Sequence, residues 1–222
     1  MKVLVACEES QRVCTAFREM GHEAYSCDIQ HCAIYGHLDW HIVENAELLI
    51  DGNCDFETVD GHKHSIDGRW DLIVAHPPCT YLTAASSVRL FEKDHSIHDF
   101  ERLARGCEAR RLFMRFYEAK AERVCIENPV PLKIWKLPKW DQVIEPYQFG
   151  EPWRKKTCLW LKNLPLLKST RIVDPQGLWV GSSSKGHNRQ YILKSNRDQK
   201  TRSRTFEGIA KAMAEQWGED YK

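Results

Sequence analysis

The chain has 222 residues, 42% of them hydrophobic and 28% charged, which is the balance of an ordinary globular protein with one domain and an elaboration. The formal net charge is only +1, but residues 150–205 carry 13 Lys and Arg against 3 Asp and Glu, so a polyanion-facing stretch sits on an acidic body. No apolar run reaches the about 18 residues a membrane span needs, the start MKVLVACEES turns charged too early for a signal peptide, and nine scattered cysteines point to reduced thiols in a cytosol, hence a cytoplasmic protein, rather than a disulfide framework.

The β-branched run Lys2–Ala6 predicts a strand. Cys7-Glu8-Glu9-Ser10 follows and turns into a helix with Ser10 as N-cap, with Val13, Ala16, Phe17 and Met20 on one face and Gly21 as the stop. A second strand over 23–27 ends at Asp28. This is a β-α-β unit, whose default is a right-handed parallel crossover. Asp28 either caps the strand end or stands where nucleotide-binding α/β folds place a carboxylate for ribose hydroxyls. Leu38-Asp39 reads as the end of a short strand, 43–50 as a helix, and 56–66 as a hairpin turning at Asp60-Gly61. His62 and His64 with Cys54 lack the spacing of a zinc site, as do Cys27 and Cys32, so no metal is expected.

Leu72–Ala75 reads as a buried central strand that stops at His76-Pro77-Pro78, because proline neither donates to a ladder nor enters a helix interior. Cys79 is left at the carboxyl edge of that strand, where open α/β sheets bind ligands. It is a candidate nucleophile or a half-buried loop thiol. A helix is predicted from an Asp99 cap to about residue 120, with Phe100, Leu103, Ala104, Cys107, Phe113, Phe116 and Tyr117 facing the core. The next strand, over 123–126, ends in Glu127-Asn128-Pro129, and in a parallel sheet Glu127 and Cys79 emerge at one edge. A Trp- and Lys-rich segment over 130–144, a strand pair around 155–161 and an amphipathic helix over 207–217 complete the chain. The expected organisation is a catalytic α/β domain over 1–149, a basic elaboration over 150–205, and a closing helix over 206–222 that packs back on the sheet.

A thiolate is a strong carbon nucleophile near neutral pH, and a carboxylic acid donates to a ring nitrogen. Together they suit an electron-poor heterocycle such as cytosine, whose C5 does not take a methyl group directly. Sulfur added at C6, with a proton or hydrogen bond at N3, turns C5 into an enamine-like carbon able to attack a methyl sulfonium. Removal of the C5 proton then expels the cysteine. In duplex DNA the base is first flipped out of the stack.

Ala75-His76-Pro77-Pro78-Cys79 resembles the Pro-Cys motif of the C5-cytosine DNA methyltransferases, and Glu127-Asn128-Pro129 resembles their Glu-Asn-Val triplet. Gln148-Phe149-Gly150 followed by Arg154-Lys155-Lys156 is similar to their later Tyr-Gly strand and basic motif. Arg204-Thr205-Phe206-Glu207-Gly208-Ile209-Ala210 is similar to the segment that returns to the cofactor domain. Over nearly its whole length the chain resembles short DNA cytosine methyltransferases common in phages and prophages. The resemblance implies a mostly parallel, Rossmann-like α/β sheet that binds S-adenosylmethionine and acts on DNA, with a monomer expected.

It also implies residue roles. The cofactor site would comprise Ala6, Cys7, Glu8, Glu9, Ser10, Asp28, Ile29, Asp39, His76 and Pro77, with Asp28 on the ribose and Asp39 near the adenine. Cys79, supported by Pro78, would be the nucleophile, Glu127 the N3 partner, and Asn128 the residue that steadies the loop. Arg154, Lys155, Lys156, Arg189, Arg202 and Arg204 would meet nucleic acid, with Trp153 or Trp179 stacking or wedging. Cys7-Glu8-Glu9-Ser10 replaces the family's glycine-rich loop, so Glu8 or Glu9 is expected to hold the methionine ammonium. No room exists for a large target-recognition domain, which leaves that work to the basic stretch. Other readings stay open: adenine-N6 or cytosine-N4 methylation, whose Asp/Asn/Ser-Pro-Pro-aromatic motif His76-Pro77-Pro78-Cys79 half matches; a non-catalytic nucleic-acid-binding protein that kept the fold; and a cysteine enzyme acting on pyrimidines of RNA or free nucleotides.

Overall fold

Val3-Leu4-Val5-Ala6 and Leu72-Ile73-Val74-Ala75 are fully buried, as strands covered on both faces must be. The computed structural model describes residues 1–33, 36–175 and 204–218. Its strands are β1 (Lys2–Ala6), β2 (Glu23–Asp28), β3 (His41–Val43), β4 (Cys54–Glu57), β5 (Lys63–Ile66), β6 (Leu72–Ala75), β7 (Arg123–Pro129), β8 (Gln142–Ile144) and β9 (Thr157–Lys162). Its helices are α1 (Arg12–Glu19), α2 (Phe100–Tyr117) and α3 (Glu207–Gly218).

A seven-stranded sheet runs in the order β3-β2-β1-β6-β7-β9-β8, and β4 pairs with β5 as a separate hairpin. All pairs from β3 to β7 are parallel, and β9 runs antiparallel to both its neighbours. The mostly parallel α/β class expected from the sequence is therefore the class observed. Chain order reverses between β1 and β6, and the crevice outside the carboxyl ends of two such strands is the switch point at which open sheets bind ligands. On one face Val3, Val5, Leu72 and Val74 pack with α1 and α3; on the other Leu4, Ile73, Val124 and Ile126 pack with α2, Phe56 and Ile66.

Several local expectations give way to tertiary structure. The helix expected over 43–50 is absent: Val43 completes the parallel ladder opposite Asp28, and the Asn45 side chain accepts from Glu47 N to start only a 3-10 turn over Ala46–Leu48. Leu38–Trp40 is likewise a 3-10 turn, and the strand begins at His41. Pairing across the sheet outranks a weak local preference. Asp99 does cap α2, accepting from Arg102 N at 2.7 Å. The buried stripe of α2, however, is Gly106, Ala109, Phe113 and Phe116, while Phe100, Cys107 and Tyr117 are exposed. The Trp135 ring lies so close over Gly106 that a Cβ there would overlap it, and this contact sets the rotation of the helix. Within the basic stretch, Thr157–Lys162 is a full strand of the main sheet. No helix among the described residues is long and apolar enough to cross a membrane.

Candidate active site

Parallel pairing places Ala75 beside Ile126, so His76 and Glu127, the next residues of β6 and β7, are neighbours at the carboxyl edge. His76 N–H donates to Ala6 O at 2.9 Å, and its Nδ1 lies 3.0 Å from Glu127 Oε2. Asn128 is 1% exposed and donates through Nδ2 to Pro77 O at 2.7 Å. Cys79 O then accepts from Leu82 N and Thr83 N, and Ala84 N donates to Val130 O. From α2, Arg102 donates to Thr80 O at 2.7 Å and Arg105 donates to Tyr81 OH at 3.0 Å. These contacts hold the turn that carries Cys79, whose side chain is half-buried between buried Pro77 and the loop, with Pro78 exposed. The Arg102 and Arg105 clamp was missed in the sequence; its signal is a pair of arginines one turn apart on the helix that opens soon after the Cys79 loop.

Burial pushes the Glu127 carboxyl up, but the hydrogen bond from His76 and the proximity of Lys155 and His76 outweigh it and hold Glu127 below the usual carboxylate range. These neighbours favour the ionised form of Glu127, and the His76 contact behind that preference is not visible in the sequence. Lys155 reaches it because β9 runs backwards: Thr157 pairs with Pro129, so the residues preceding β9 enter at the carboxyl edge.

In the crevice between β1 and β6, Cys7 turns the chain with φ 59°, a left-handed conformation that favours glycine. Glu8 is 4% exposed and caps α1, its carboxylate accepting from Val13 N at 2.7 Å and Cys14 N at 3.2 Å. Burial pushes its carboxyl up, partly countered by His76 and by these donors. Ser10 is therefore not the N-cap; its hydroxyl donates to Glu8 instead, and Gln11 occupies the cap position with φ 56°. Gln11 clamps His37, accepting from its N–H at 2.6 Å and donating to its carbonyl at 2.9 Å. Of the two acidic residues expected to hold an ammonium, Glu8 is committed to the helix, whereas the Glu9 carboxylate lies 3.7 Å from Arg204 Nε.

Asp28 ends β2 and accepts from Gln30 N, with Ile29 77% exposed beside it. Asp39 is exposed on the Leu38–Trp40 turn. Both nitrogens of His64 are engaged, with Tyr25 OH and Thr58 Oγ1, and His62 pairs with Asp60.

The basic residues divide. Arg154 lies over the Tyr147 ring and 4.0 Å from Glu145, and Lys156 is exposed. Arg204 faces Glu9 in the crevice rather than an outer surface. Lys155 also lies over the Phe206 ring, and Arg12 donates to Thr205 O at 2.8 Å, so the segment before α3 returns against the crevice. Trp153 is half-buried, its carbonyl accepting from Tyr147 N. Arg189, Arg202 and Trp179 lie outside the described residues.

Fold and site together define an open, mostly parallel α/β sheet with a thiol-bearing turn and a carboxylate at the carboxyl ends of neighbouring strands. No protein-family model matches the chain, and no curated protein matches it. Among solved structures it is similar to a candidate DNA modification methyltransferase encoded within an E. coli prophage, at 14% identity and a TM-score of 0.45, over 81% of this chain and 53% of that one. It is also similar to a substituted DNMT2 of Spodoptera frugiperda, at 11% identity and a TM-score of 0.34, over 78% of this chain and 54% of that one. The chain spans about half the length of these two proteins. The fold class stands on the strand order and registers given above.

Proposed function

We propose that this chain transfers a methyl group from S-adenosylmethionine to C5 of cytosine in DNA through a covalent bond from Cys79 to C6. What supports this reading is that the turn after β6, which carries Cys79, and the end of β7, which carries Glu127, share one edge of the parallel sheet, with Asn128 bonded to Pro77 O and Glu127 bonded to His76. The crevice beside them fits the cofactor by chemistry. It offers the Glu9 carboxylate for an ammonium, the Asp28 carboxylate for ribose hydroxyls and the exposed Ile29 side chain for the flat face of a purine. When bound, S-adenosylmethionine supplies an electrophilic methyl group.

The chain's own residues do the rest. Cys79 adds its sulfur to C6, and the C5–C6 electron pair shifts towards N3, which takes up a proton delivered by way of Glu127. C5 is thereby made nucleophilic. After methylation the C5 proton leaves to water, the C5–C6 double bond reforms, the thiolate departs, and N3 returns its proton. Asn128 and Arg102 keep the Cys79 turn in place through these steps. Lys155 and Lys156 are positioned to meet phosphates entering over the same edge.

Incubation with DNA containing 5-fluorocytosine tests this, because fluorine at C5 blocks the release step. The expected result is an adduct that survives denaturation with the intact protein and is absent with Cys79→Ser, together with 5-methylcytosine in nucleoside digests of ordinary DNA. N6-methyladenine or N4-methylcytosine without an adduct would overturn the covalent reading, as would full methylation by Cys79→Ser.

A further inference from the structure

We propose, on the footing of the function just inferred, that His76 is a positioning residue for Glu127 that stores the proton Glu127 passes to N3 of the bound cytosine. A carboxylate cannot donate to N3, so the reaction needs a proton source within reach of Glu127. His76 Nδ1 is 3.0 Å from Glu127 Oε2, and the two side chains are only 12% and 9% exposed. That contact leaves little path for solvent to deliver the proton instead. The backbone N–H of His76 is held by Ala6 O, its ring is held through Nδ1 by Glu127, and its Nε2 is buried with no hydrogen-bond partner among the described residues. Nδ1 is therefore the nitrogen that works.

The transfer balances. As Cys79 sulfur bonds to C6, N3 takes the proton from the Glu127 oxygen, and that oxygen draws its proton from His76 Nδ1, whose N–H bond breaks to leave a neutral imidazole. Loss of thiolate at the end of the cycle sends the proton back along the same line. The groups facing His76 suit this shuttle. Glu127 approaches from β7 and the capping carboxylate of Glu8 from the loop after β1. Lys155 stands beyond Glu127 at the entry to β9, where the Cys158 thiol, next to Glu127, stays protonated. His76 thereby couples the turn that caps α1 to the strand end that holds the base, a link the sequence motif alone does not show.

The test is His76→Asn, whose side-chain amide replaces the Nδ1–H donor but has no proton to give up, measured against the intact protein by adduct formation with 5-fluorocytosine DNA across pH. Assayed over a pH range of about 5 to 8, the rate for the intact protein should fall as pH rises, after the rise due to Cys79 ionisation is divided out by the rate of alkylation of the same thiol. For His76→Asn the expected result is a rate lower by about 10²-fold or more, with the DNA concentration for half-maximal rate little changed and the high-pH fall abolished. Equal rates and equal pH profiles for the two proteins overturn the proposal while leaving the covalent reading intact. If the intact protein forms no adduct at any pH, the covalent reading fails and this proposal with it. Should His76→Asn not fold, as judged by its melting transition, the pH profile of the intact protein decides alone, and a corrected rate that stays flat or climbs through that range overturns the proposal.

Discussion

Asn128→Ala isolates the hydrogen bond that ties the two halves of the site. Asn128 is 1% exposed and its Nδ2 is 2.7 Å from Pro77 O, a carbonyl in the buried first half of the Pro-Pro pair. Removal of the donor leaves that carbonyl short of a partner, at a cost of about 1–3 kcal/mol. For a chain of this length 1 kcal/mol corresponds to roughly 2–4 °C in melting temperature, so a fall of about 6 °C is expected. Catalysis should suffer more than stability, since a displacement of about 1 Å in a reacting group costs on the order of 10²-fold in rate. Circular-dichroism melts and the rate of adduct formation with 5-fluorocytosine DNA measure the two effects. Asn128→Asp provides the control. It keeps the shape but donates to Pro77 only when protonated, so burial raises its carboxyl above the unfolded value. Its stability should be greatest at low pH and fall as pH rises from about 4. An Asn128→Ala protein that melts within about 1 °C of the parent and forms adduct at the parent rate would refute the tether.

Gly106→Ala should destabilise despite the better helix propensity of alanine, worth about 1 kcal/mol. The new Cβ would overlap the Trp135 ring, whose carbonyl is also held by Arg110, and such overpacking costs about 1–3 kcal/mol; a rise in urea midpoint would contradict the packing described. Glu127 has a folded-state carboxyl below its ordinary value of 4.5, so its contribution to stability is complete above that pH and is lost as pH falls below it. Urea midpoints taken from neutral to acid pH should therefore decline less steeply for Glu127→Gln than for the parent, and parallel curves would count against an ionised Glu127.

Much of the site was legible because it depends on strand ends. Runs such as Leu72-Ile73-Val74-Ala75 have few ways to be buried except as a central parallel strand, and a parallel sheet brings every strand end to one edge. From that alone Cys79 and Glu127 belong together. The side-chain partners were not legible. Ser10 has the residue type of a helix cap, but Glu8, four residues before the first helical residue, reaches Val13 N and Cys14 N with its two oxygens. The stripe on α2 was rotated by a contact with Trp135, far along the chain. Arg204 reads from the sequence as a nucleic-acid contact, and its pairing with Glu9 follows from where the segment before α3 docks. For α2 and Arg204 a long-range contact decides what the residue does, and for Glu8 a contact five and six residues along the chain.

The return of the chain against the crevice bears on how a change in one part is felt in another. Val173 N donates to Tyr147 O, and Gly208 N donates to Glu151 while its Cα packs on Phe149 O. The stretch between Val173 and Gly208 thus departs from and comes home to a single strap of chain, 147–151. Its two ends are docked by contacts that do not depend on what lies between them. The returning end is also coupled to the sheet edge, since Arg204 lies against Glu9, Thr205 O accepts from Arg12, and Phe206 lies under Lys155. A change in the strap 147–151 is therefore felt at both anchors at once, as a shared hinge pin carries two doors.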